Sequence, residues 1–209
     1  MLNATDQTPK SAKLSKPPIR KKNLDSRSRE YLSAHEVESL RKAAKSLGRN
    51  GVRDDTLILL MFRHALRVGE IIALRWDQVD MTSGFLHVNR LKNGVSSIHP
   101  LRGVELRALR ELRRVSQKTP AGLTAYVFVS ERQAPLTERT VHHIISRAGE
   151  EAKIGFSVHP HMLRHATGFY LANEGFDTRS IQGYMGHSNI KNTVLYTQLS
   201  PKRFGFWKD

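Results

Sequence analysis

The stretch from His159 to Tyr196, HPHMLRHATGFYLANEGFDTRSIQGYMGHSNIKNTVLYT, leaves the chain few ways to fold. Pro160 suits the first turn of a helix, because its missing N–H and fixed φ cost nothing there. Counted from it, His161, Arg164 and His165 fall at i, i+3 and i+4 and share one helical face. Met162, Leu163, Phe169, Tyr170 and Leu171 supply the buried side. Gly175 stops that helix, and Asp177 caps a second one starting near Thr178. This second helix runs through Ile181 and Tyr184 to Gly186, a C-terminal glycine that places His187 just past the helix end. A third short helix after Asn189 holds Val194, Leu195 and Tyr196. Imidazole and guanidinium groups therefore collect near a tyrosine.

That combination has a chemical meaning. A phenol ionises near pH 10 and is a weak nucleophile at neutral pH, so a reacting tyrosine needs cationic and hydrogen-bonding neighbours. Guanidinium groups match phosphate oxygens in a bidentate fork, which suits attack by tyrosine on a phosphodiester. The ordered set of H-x-x-R, then G-H, then Tyr nine residues after that His is far more specific than any of its members.

The rest of the chain supplies a scaffold. Ser33 and Glu36 form a capping box, with Leu32 and Val37 at staple spacing, so a helix runs to about Leu47 and ends at Gly48 and Gly51. Asp54 or Asp55 caps the next helix, whose Leu57, Leu60, Met61 and Ala65 make a core stripe that delivers Arg67. By itself Arg67 reads as the ion-pair partner of Glu70. From Gly84 the period changes to two. Phe85 to Arg90 and Ser96 to Leu101 read as strands joined by a hairpin turn at Lys92-Asn93-Gly94, where a lysine is ordinarily a solvated charge. Val104, Leu109 and Leu112 mark a helix with an arginine-rich outer face. Tyr126 to Val129 is a short strand, and Thr137 caps a helix with Val141, Ile144 and Ile145 inside. The expected class is mainly α with a small antiparallel β-sheet.

Charge narrows the partners. The 209 residues carry 34 Lys and Arg against 19 Asp and Glu, a formal +15, the footprint of a chain that follows a phosphate backbone. Residues 1 to 29 hold eight Lys or Arg against two Asp with little apolar periodicity, which reads as a flexible basic arm. The absence of cysteine excludes disulfides and thiolate metal sites and fits a cytoplasmic protein. No apolar run is long enough to mark a membrane span or secretion signal. His142, His143, His159, His161 and His165 invite a zinc reading, but they lack the acidic partner of a helical zinc motif. The last residues include Phe204, Phe206 and Trp207, too apolar for a free tail and expected to dock on this or a neighbouring protomer.

Taken together, HALRVGE around Arg67, RLKNG around Lys92, HMLRH at 161 to 165, GH at 186 to 187 and Tyr196 resemble the catalytic core of the tyrosine recombinases, the phage integrase family. Within it they are most similar to the short fimbrial phase-switch DNA invertases. The resemblance covers roughly residues 30 to 207. It implies the tyrosine recombinase catalytic-domain fold over residues 30 to 209, without a separate N-terminal core-binding domain. It implies that Arg67 and Arg164 clamp the scissile phosphate, that His161 and His187 hydrogen-bond it and assist proton transfer, and that Lys92 protonates the departing 5′ oxygen. Tyr196 would form a 3′-phosphotyrosyl bond, with no cofactor and no metal. Tyr184 is the alternative nucleophile, while Tyr170 and Tyr126 read as buried. Where the family usually has Gly, this chain has Ala65.

The implied partners are double-stranded DNA with inverted-repeat sites, further copies of the chain in a tetrameric synapse, and accessory DNA-bending proteins in a nucleoid-associated setting. The implied function is inversion of a promoter-bearing segment that switches fimbrial genes. The alternatives are an integrase or excisionase of a mobile element, and a DNA-binding regulator that does not cleave.

Overall fold

The computed structural model describes residues 29–91, 94–118, 122–198 and 200. Most of residues 1 to 29 and the Phe204, Phe206 and Trp207 tail lie outside that range, as does Lys92. The described residues form a helical body with a three-stranded sheet at one side.

Helix α1 (Ala34–Ser46) opens on the expected capping box: the Ser33 hydroxyl accepts from the Glu36 amide, and Glu36 accepts from the Ser33 amide at 2.8 Å. Helix α2 (Gly51–Arg63) begins at Gly51, which was expected to lie in the break before it. A Cβ there would sit 2.0 Å from the Lys45 carbonyl, so only glycine lets the two helices meet this closely. Asn50 is the N-cap, and neither aspartate is. Asp54 and Asp55 are buried inside the helix, 2.8 Å from Arg53 and Arg41 respectively. Burial raises both carboxyl pKa values in spite of those arginines. Acidic residues near a helix start can cap it, but Asp55 serves a tertiary ion pair with Arg41 of α1, and Asp54 pairs with its sequence neighbour Arg53.

The apolar face of α2 fills the main core. Leu57, Ile58, Leu60 and Met61 have no exposed area and pack with α1, α4 (Gly103–Gln117) and α6 (Pro160–Asn173), in a cluster that also takes in the inner face of α5 (Glu138–Glu151). After α2 the chain turns through Ala65 at φ 51 and enters the short helix α3 (Val68–Ile72), with Arg67 at its N-cap position. A 3-10 turn (Trp76–Gln78) leads into β1 (Val79–Asp80), then β2 (Phe85–Val88) and β3 (Ser97–Pro100), antiparallel in the order β1-β2-β3.

The last β2–β3 pair is Val88 with Ser97. The connection is therefore wider than the tight Lys92-Asn93-Gly94 turn read from the sequence. The expected strand at Tyr126 to Val129 is only a pair of isolated bridges, Arg75 with Tyr126 and Val129 with Pro135. Tyr126 is half-buried and Tyr170 is 39% exposed, so neither is the buried residue expected.

The C-terminal elements follow the reading closely. Helix α6 starts at Pro160, α7 (Thr178–Met185) is capped by Asp177, and α8 (Lys191–Gln198) carries Tyr196. Gly186 ends α7 at φ 63, ψ 41, the left-handed conformation glycine adopts without strain. No helix among the described residues is long and apolar enough to cross a membrane.

Candidate active site

Five of the six residues singled out from the sequence line one open pocket of about 420 Å³: Arg67, His161, Arg164, His187 and Tyr196. The sixth, Lys92, lies outside the described residues. His165 and Lys191 also line the pocket, and Tyr184 does not.

The two arginines are held differently. Arg164 is 2% exposed; its Nη1 donates to the Ala65 carbonyl and its Nη2 to the Met185 carbonyl at 2.7 Å. It thereby ties the ends of α2 and α7 together. Burial, then the charges of Arg67 and Arg90, bring its pKa down to about 9, which leaves it cationic at neutral pH. Arg67 keeps 28% of its side chain exposed, with Nη1 on Glu70 Oε1 at 2.7 Å. The Glu70 ion pair read from the sequence therefore exists, and the arginine still faces the pocket.

Behind this pair stands Arg90, whose role the sequence reading missed. Its side chain is fully buried, and it donates to Glu70 Oε2 at 2.9 Å and to the carbonyls of His64, Ala65 and Tyr184. Burial works to raise the Glu70 pKa, but the Arg67 amide and the Arg90 charge outweigh it and hold the carboxyl below its ordinary value. The signal was present in the alternation: Arg90 shares the parity of Leu86 and Val88, the buried face of β2. An arginine on that face has to find buried acceptors. Its guanidinium and that of Arg164 converge on Ala65, a non-glycine residue at positive φ. Two charge-assisted hydrogen bonds to one carbonyl help hold that strained conformation.

The three histidines of the pocket are all held below the ordinary imidazole value. His187 is buried, its Nδ1 lies 2.9 Å from the Thr193 hydroxyl, and burial with the Arg164 and Arg67 charges brings its pKa to about 4. His165 falls to about 4 as well, through burial and then His161. Crowding by the surrounding protein atoms and then Arg164 lowers His161, although the residue is exposed. Among the described residues no group of three His, Cys, Asp or Glu could hold a metal ion.

Tyr196 is 2% exposed, with its ring packed edge-on against Phe169 at 5.2 Å between centroids. A Cβ on Gly168 would come within 2.7 Å of that ring, so α6 and α8 approach only because residue 168 has no side chain. The Tyr196 hydroxyl lies 2.9 Å from His165 Nδ1, a contact the sequence placed on the right face without assigning. Burial raises the phenol pKa, opposed by Arg164 and Arg67. Tyr184 is turned elsewhere: its hydroxyl donates to the Arg63 carbonyl at 2.7 Å, its ring stacks on His99, and burial pushes its pKa up to about 12.

Comparison with known proteins places this geometry. The model of the phage integrase family matches residues 30–203. The type 1 fimbriae regulatory protein FimB of Escherichia coli K12 is 42% identical over 188 residues, covering 90% of this chain and 94% of that protein. FimE of the same strain is 42% identical over 182 residues, covering 86% and 91%. The crystal structure of XerA recombinase superposes with a TM-score of 0.72 at 28% identity, over 83% of this chain and 62% of that one. The chain thus spans nearly the whole of the fimbrial proteins and about three-fifths of XerA.

Proposed function

The chain belongs to the phage integrase family, and from that premise we propose that it is a site-specific tyrosine recombinase in which Tyr196 cleaves DNA through a 3′-phosphotyrosyl intermediate. The observation that carries this reading is the convergence of Arg67, His161, Arg164 and His187 with Tyr196 around a single pocket. A phosphodiester placed there meets Arg67 and Arg164, whose charges offset the extra negative charge of the pentacoordinate transition state. Neutral His161 and His187 donate hydrogen bonds to the same non-bridging oxygens. Tyr196 Oη attacks phosphorus, the bond to the 5′ oxygen breaks, and Lys92 on the β2–β3 connection supplies that oxygen with a proton. The ester keeps the energy of the broken linkage, so religation needs no external energy source.

The likeness to FimB and FimE over almost their full lengths supports a finer reading: inversion of a promoter-bearing segment between inverted repeats, switching fimbrial gene expression. In this reading four copies form the synapse, accessory proteins bend the DNA, and the protein works in the bacterial cytoplasm on the nucleoid. Residues 30–209 are the catalytic domain and residues 1–29 a basic arm along the DNA. Deleting the arm should flatten the salt dependence of binding, which tracks the number of neutralised phosphates. An unchanged slope would leave the arm no part in binding.

Expression in cells followed by sequencing of the host chromosome tests the function. The expected result is one segment, bounded by short inverted repeats, found in both orientations with the wild-type chain and in one with Tyr196→Phe. Excision or insertion junctions would mark an element integrase, and no rearrangement at all would overturn the proposal.

A further inference from the structure

The pocket holds three histidines that the recombination reading could use, and among the described residues only His165 is hydrogen-bonded to the nucleophile. His165 Nδ1 lies 2.9 Å from the Tyr196 hydroxyl. The Nδ1 of His187 is engaged by Thr193, and its ring lies nearly parallel to that of Tyr196 at 6.4 Å. His161 meets His165 edge-on at 4.5 Å. From this geometry we infer that His165 is a further catalytic residue, the group that takes the proton from Tyr196 during cleavage and returns it during ligation. The inference rests on the reading of Tyr196 as nucleophile.

The direction of the hydrogen bond follows from the chemistry of the two groups. A phenol is a good donor and a poor acceptor, because its oxygen lone pair is delocalised into the ring. The hydroxyl therefore donates to Nδ1, and the imidazole carries its own proton on Nε2. As Tyr196 Oη bonds to phosphorus and the bond to O5′ breaks, the phenolic proton passes to Nδ1 and O5′ receives its proton from Lys92. In ligation the 5′ hydroxyl returns its proton to the lysine and attacks phosphorus. The departing Tyr196 oxygen then recovers its proton from the His165 imidazolium. Every proton is accounted for.

The surroundings decide when the transfer occurs. Besides Tyr196, the titratable groups around His165 are His161 and Arg164 on its own helix, and Glu30 and His159 from other segments. Burial and His161 keep the His165 pKa at about 4, while burial raises that of Tyr196, so in the DNA-free protein the pair rests as a neutral hydrogen bond. A phosphate entering beside Arg67 and Arg164 adds negative charge next to the imidazole and favours its protonated form. The nucleophile stays protonated until its substrate is in place.

Single-turnover cleavage of a nicked suicide duplex carrying the protein's own recombination site, at saturating DNA, tests this. His165→Ala should cleave roughly 10²- to 10⁴-fold more slowly with DNA affinity unchanged. Placing a fluorotyrosine at position 196 by codon suppression should restore much of the His165→Ala rate, because a more acidic phenol needs less help in losing its proton. The same phenol should not rescue Arg164→Ala. Should His165→Ala fail to fold, His165→Gln, which keeps a hydrogen-bond acceptor but holds no proton, should show the same slow rate and the same rescue. A wild-type rate in either folded variant would overturn the inference, as would a slow rate that fluorotyrosine leaves unimproved. Absence of a covalent adduct with the wild-type chain would instead sink the functional reading beneath it.

Discussion

The described residues form two hydrophobic clusters, and they do different work. The larger runs from Val37 and Leu40 in α1 through Leu57 and Leu60 in α2 to Ile145 in α5 and Leu163 in α6, and it is the ordinary apolar interior of a helical domain. The smaller gathers Ala65, Phe169, Ala172, Ile181 and Met185 around Tyr196, so the ring of the proposed nucleophile is itself a wall of the cluster. The first decides whether the chain folds, and the second decides where one oxygen sits. Because α8 is a single eight-residue helix, most of what holds that oxygen is the contact of its ring with Phe169 and Gly168. Stability and catalysis should therefore respond to different substitutions.

The largest effects should come from the arginines at the boundary of the two clusters. Changing either Arg67 or Arg164 to Ala should slow cleavage by on the order of 10³-fold or more, by analogy with arginine stabilisation of phosphoryl transfer. Thermal melts should separate them: Arg164→Ala loses the two carbonyls that tie α2 to α7 and should melt lower, whereas half-exposed Arg67 should cost little. Equal melting of the two variants would break the distinction drawn between them.

A pair of substitutions, one in each cluster, separates their roles. Gly168→Ala places a methyl where the Tyr196 ring now lies, and a displaced nucleophile should cost on the order of 10²-fold in cleavage at saturating DNA. Leu60→Ala empties part of the large core and should cost about 2 to 5 kcal/mol of stability by urea melts. Below its melting point Leu60→Ala should still cleave near the wild-type rate. If cleavage tracks stability across both, the small cluster has no separate role.

A gentler effect concerns acid. His165, His187 and His99, each at about 4, and His64, also lowered by burial, bind protons more readily in the unfolded chain. Stability from these groups is complete above their ordinary value near 6.5 and is lost as pH falls from there through about 4. Urea melts at pH 7 and pH 5 should show the loss. Equal stability at the two pH values would mean that the histidines are as accessible to protons folded as unfolded.

Both clusters were legible in the sequence wherever local spacing wrote them. Period-3.6 stripes and capping residues revealed the helices of the large core, and the order of His161, Arg164, His187 and Tyr196 revealed the pocket, because both are written in local spacing. What could not be read locally depends on who meets whom across the chain. Asp55 looks like a cap until Arg41 of the preceding helix is seen beside it. Arg90 looks like strand alternation until Glu70 and the carbonyl of Tyr184 close around it. His165 shared a face with His161 and Arg164, but only the packing of α8 brings the Tyr196 hydroxyl to its Nδ1.

On the proposed mechanism the small cluster presents Tyr196, and no other tyrosine, to the phosphate. Tyr184 is the discriminating control, being close to His187 in sequence but hydrogen-bonded to the Arg63 carbonyl, away from the pocket. Trapping on a nicked suicide duplex, followed by mass spectrometry of the DNA-linked peptide, measures this directly. Wild type and Tyr184→Phe should both yield an adduct at Tyr196, and Tyr196→Phe should bind the duplex and yield none. An adduct that survives Tyr196→Phe and disappears with Tyr184→Phe would make Tyr184 the nucleophile instead.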